Sequence, residues 1–104
     1  MPTAAPRSFT TEEMQVADLL TAVAQFIRYT RDHADVAVLL AVRGYGPGEL
    51  DVGLALHAAA RTAFHAGDRS EKALNRLKAW LRRFRQSASV ALRDHPAHAA
   101  ALGV

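Results

Sequence analysis

The chain has 104 residues and no Cys, so neither a disulfide framework nor a thiolate metal site enters its folding. Aromatic residues are scarce, with one Trp, two Tyr and four Phe, which limits the bulk available to a core. No uncharged run approaches the roughly 20 apolar residues that a membrane-spanning helix requires. The first ten residues carry Pro2 and Pro6 and lack the apolar stretch of a secretory signal, so a cytoplasmic protein is expected. The two Lys are outnumbered by 11 Arg, and the formal charge is only +3. A total that small does not by itself mark a nucleic-acid binder.

What the chain does have is Ala and an uneven charge. Half of the residues are hydrophobic and 22 of them are Ala, which describes a thinly filled helical bundle held by close helix approach. Between Arg69 and Arg93 eight basic residues face one acid, Glu71, giving that segment a charge of +7 and leaving −4 on the remainder. Length and composition fit one domain, here residues 9–104 behind a loose arm over 1–8.

Helix signals recur along the chain. Thr10 and Glu13 have the spacing of a capping box, with Phe9 and Met14 placed as its hydrophobic staple. From there Val16, Leu19, Leu20, Val23, Phe26 and Ile27 fall on one arc at about 100° per residue. The stripe stays in phase to Ala41, so residues 11–43 read either as one rod or as two helices. An internal echo favours two. Arg31-Asp32-His33-Ala34 is matched by Arg93-Asp94-His95-Pro96, and Pro96 must interrupt a preceding helix. The echo places a turn at Asp32-His33, with Asp32 as the cap of a second helix.

Gly44-Tyr45-Gly46-Pro47-Gly48 is a break, and Pro47 suits the first turn of a third helix that closes at Gly67. Its expected inner face is Val52, Leu56, Ala59, Ala60 and Ala63, with Leu50 and Leu54 on another side. A fourth helix, capped by Asp68 or Ser70, carries Leu74, Leu77, Trp80, Leu81, Phe84 and Ala88 on one arc and basic residues on most of the rest. A short fifth helix runs from Pro96 towards Gly103. The fold class is therefore all-α, an up-and-down bundle of three to four main helices with a short C-terminal helix.

No constellation for catalysis stands out. Ser70, Ser87 and Ser89 have no His one turn away, and the Gly44–Gly48 segment lacks the Lys-Ser/Thr ending of a phosphate loop. His57 and His65 lie too far apart on one helix to share a metal ion, Asp94, His95 and His98 are separated by Pro96, and no cofactor site is expected. A helix-turn-helix reading of the third helix fails on Glu49 and Asp51, which phosphates repel.

Two surfaces are candidates for binding. Arg69, Lys72, Arg76, Lys78, Arg82, Arg83 and Arg85 form an anionic-partner surface, for an acidic protein or, as the alternative, nucleic acid. Against nucleic acid, Trp80 and Phe84 fall on the apolar arc and leave no aromatic residue interleaved for base stacking. Val36, Leu39 and Leu40 point away from the continuing stripe, so they either sit under another helix or form a self-association surface, and a homodimer through them is expected. The expected role is a non-enzymatic helical scaffold or protein-interaction module that associates with itself.

The C-terminal third, Trp80-x3-Phe84-x3-Ala88, Ala91-Leu92-Arg93-Asp94-His95-Pro96 and Leu102-Gly103-Val104, resembles the ending of a group of uncharacterised helix-rich bacterial proteins. Arg43-Gly44-Tyr45 followed by Glu49-Leu50-Asp51 is similar to their internal turn. The resemblance covers about a third of the chain and implies a helical bundle with no known activity.

Overall fold

A computed structural model describes residues 15–67 and 71–104. They form α1 (Val16–Asp32), α2 (Ala34–Ala41), α3 (Pro47–His65), α4 (Glu71–Ala91) and α5 (Pro96–Ala101). There is no strand among the described residues, so the chain is an all-α bundle. The α3 helix packs against both α1 and α4, while α2 bridges α1 and α4. No helix among the described residues is long and apolar enough to cross a membrane.

The turn expected at Asp32-His33 is present. His33 is extended (φ −121°, ψ 101°) between α1 and α2, and its Nδ1 donates to the Tyr29 carbonyl at 2.8 Å. That bond satisfies one of the orphan acceptors at the end of α1. The expected role of Asp32 is not found, because His33 holds the N-cap position of α2 and no side chain caps it. Asp35 instead accepts from the Val36 amide at 3.0 Å. His95, the echo of His33, leads into α5 with Pro96 in the first turn. The Thr10 cap and its staple lie outside the described residues. Gln15 is extended, with ψ 154°, and α1 opens at Val16. The Asp68 and Ser70 caps of α4 also lie outside the described residues.

Two expectations about buried faces are corrected. Val36 and Leu40 are fully buried within the chain, and Leu39 packs partly against the same core. Val36 and Leu40 are therefore withdrawn from the self-association surface, because α1 and α4 already cover α2 on that side, and Leu39 is left half-buried at its edge. In α3 the buried residues are Leu50, Gly53 and Ala60, while Val52 is 46% exposed. The cause is Trp80. A Cβ at Gly53 would lie 2.5 Å from its ring, so the indole seats against bare backbone and fixes which side of α3 turns inward. With Ala on every side of α3, hydrophobicity alone does not choose a face.

The centre of the bundle is Trp80 stacked on Phe84, with ring centroids 5.2 Å apart. Tyr45, from the turn before α3, packs edge-on to both rings. Removing an aromatic side chain of this kind costs about 3–5 kcal/mol.

Candidate functional site

The inner face of α4 dictates where its charges go. Leu77, Trp80, Leu81, Phe84 and Ala88 are buried, and the indole Nε1 donates to Glu49 on α3 at 2.8 Å. A buried indole N–H needs an acceptor, and this one holds the rotation of α4 about its own axis. Lys72, Arg76 and Arg83 are thereby left exposed. They project within about 60° of each other along the helix.

The other candidate cations fare differently. Arg69 lies outside the described residues. Lys78 is half-buried, and Arg82 is exposed. Arg85 turns inward and donates to the Gly103 carbonyl at 2.8 Å, tying α4 to the C-terminal turn. It is therefore withdrawn from the anionic-partner surface, because its guanidinium is engaged within the fold.

Among the described residues, the α2 and α3 acids with a bonded side chain are engaged away from Lys72, Arg76 and Arg83. Asp51 takes Arg31 of α1 at 2.5 Å, Glu49 accepts from Trp80, and Asp35 takes His98 at 2.9 Å. Lys72, Arg76 and Arg83 have no ion pair or hydrogen bond among the described residues.

The fold also assembles a cluster that sequence order conceals. Tyr29 from α1, Asp35 from α2 and His98 from α5 converge at one corner. Tyr29 Oη lies 2.6 Å from His98 Nδ1, and His98 Nε2 lies 2.9 Å from Asp35 Oδ2. The tautomer that satisfies both has its proton on Nε2, so Tyr29 donates to the ring and the ring donates to Asp35. The His98 bond holds the Asp35 carboxyl below its ordinary value of 3.8, against desolvation acting in the opposite sense. His33 stacks on Tyr29, with centroids 3.9 Å apart. Both nitrogens of His98 are engaged within the fold, so the cluster acts as a clasp that fastens α5 to α1 and α2.

Such a hydroxyl, imidazole and carboxylate in series could be found only from the tertiary structure. The members are 63 and 69 residues from His98 along the chain. Its one local trace is His33 following Tyr29 by one helical turn. Among the described residues no group of three His, Asp or Glu is placed to hold a metal ion. His57, from the sequence a surface histidine, donates through Nε2 to the Leu20 carbonyl at 3.0 Å and so links α3 to α1.

No family model matches this chain, and no curated protein or solved structure is significantly similar to it.

Proposed function

We propose that the chain is a non-enzymatic protein-interaction module whose α4 surface binds an acidic protein partner. The observation that carries this reading is the exposure of Lys72, Arg76 and Arg83 without a carboxylate among the described residues, while Asp35, Glu49 and Asp51 are engaged elsewhere. Three like charges on one helical face cost stability when left alone, so a face kept in this state gains from an anionic partner. A protein surface fits better than nucleic acid because the aromatic residues of α4 are buried, Trp80 at 1% and Phe84 at 0% exposure. Base stacking has nothing to engage on that helix.

Affinity capture tests the reading in nuclease-treated extract of the cells that make the protein. The wild-type chain is compared with a Lys72→Glu/Arg76→Glu/Arg83→Glu variant. The expected result is an acidic protein retained by the wild type after nuclease treatment and lost from the variant. Identical captured sets overturn the proposal. Retention that nuclease abolishes overturns it in favour of nucleic acid.

A further inference from the structure

The exposed side of the α1/α3 pair forms a shallow groove. Ala17, Thr21 and Ala24 border it from α1, and Leu54, Arg61 and Phe64 from α3. Phe64 is 46% exposed, and the small side chains of α1 leave room for another helix to approach to about 8–10 Å between axes.

Arg28 and Arg61 border the groove, and together with Asp18 and Asp51 on the same two helices they form a charge order that is self-complementary along the chain. In α1 Asp18 precedes Arg28 by ten residues, and in α3 Asp51 precedes Arg61 by the same ten, about 15 Å along either helix. All four are exposed. The two helices run antiparallel, since His57 meets Leu20 and Asp51 meets Arg31. Ala24 borders both Leu54 and His57, which sets the midpoint of the α1 charge pair, Val23, beside the midpoint of the α3 pair, Leu56. A twofold axis lying across the groove at that level turns α1 onto its copy and α3 onto its copy, each antiparallel. It carries Asp18 to the partner's Arg28 and Asp51 to the partner's Arg61, and symmetry makes each contact twice.

We infer that this face is where a second copy of the chain docks, through an antiparallel α1/α3 layer with four reciprocal ion pairs. Asp51 then lies between Arg31 of its own chain and Arg61 of the partner. The face uses none of Lys72, Arg76 or Arg83, so failure of this inference and failure of the acidic-partner reading are separate results.

Size-exclusion chromatography with light scattering on the full chain tests it. The wild type is expected to reach twice its 11.3 kDa mass as concentration rises. Arg28→Glu/Arg61→Glu makes the flanking charges uniformly acidic, and Asp18→Lys/Asp51→Lys makes them uniformly basic. Each variant alone is expected to dissociate at least tenfold more readily, and an equimolar mixture to recover the two-chain mass. A wild type that stays at one-chain mass throughout overturns the inference, as do variants that dimerise like the wild type. A second measurement does not depend on charge reversal. In this cysteine-free chain, Ala24→Cys places a thiol beside the proposed axis and is expected to cross-link to its copy under mild oxidation. Gln86→Cys, on the exposed side of α4, is the control. Cross-linking of Gln86→Cys as fast as Ala24→Cys also overturns the inference.

Discussion

At the α5 corner, His98 has both ring nitrogens bonded, Tyr29 has its hydroxyl bonded and its ring stacked, and Asp35 receives both an imidazole and a backbone amide. On the outer side of α4, Lys72, Arg76 and Arg83 extend into solvent with no carboxylate among the described residues. The two regions are similarly polar in sequence. The corner is closed because α5 is only six residues long and cannot hold its place by apolar burial alone, so directed bonds supplement Leu92 and Leu102. The α4 helix is already anchored by Leu77, Trp80, Leu81 and Phe84, so Lys72, Arg76 and Arg83 are not needed to hold it. Polar residues that hold a fold find partners inside it, and those without such partners are the ones available to other molecules.

Substitutions at the corner should show the larger effects. His98→Ala removes two hydrogen bonds and leaves Tyr29 and Asp35 without their partner, and should lower unfolding free energy in urea by about 2 kcal/mol. Tyr29→Phe removes one bond and leaves His98 Nδ1 without a donor. It should cost about 1 kcal/mol in the same assay. Asp35→Asn changes the response to acid. Because His98 holds the Asp35 carboxyl below its ordinary 3.8, the stability it provides is present above that value and lost as pH falls through the lower, folded-state value. Acid unfolding of Asp35→Asn, followed by circular dichroism, should therefore be less steep than that of the wild type below about pH 4. Smallest of all, Lys72→Ala or Arg76→Ala should move stability by no more than about 0.5 kcal/mol.

The parts of the fold that local chemistry governs were legible in the sequence. The Gly44–Gly48 reversal, the Pro96 start of α5 and the apolar arc of α4 each follow from residues within one or two turns of each other, whereas the turn at His33 was reached through its echo at Pro96. What was not legible depended on neighbours far along the chain. The inner face of α3 is set by Trp80 reaching Gly53, and no pattern inside an Ala-rich helix announces that. Whether Val36 and Leu40 sit under another helix or face a second copy could not be read locally, because the cover that α1 and α4 give to α2 is a tertiary fact. On α4, the basic side followed from helical periodicity. The loss of Arg85 to the Gly103 carbonyl required knowing where the C-terminus folds back. The Tyr29–His98–Asp35 clasp had no signal beyond a Tyr and a His one turn apart.

The division between a bonded corner and an available surface rests most directly on whether the outer cations of α4 contribute to folding. Thermal unfolding of a Lys72→Ala/Arg76→Ala/Arg83→Ala variant measures this. The predicted midpoint is unchanged or higher than the wild type's, because Ala favours helix and the repulsion between Lys72 and Arg76 disappears. A fall of about 8 °C or more, equivalent to 1–2 kcal/mol in a domain of this size, would show that these cations hold the bundle together and would contradict the account.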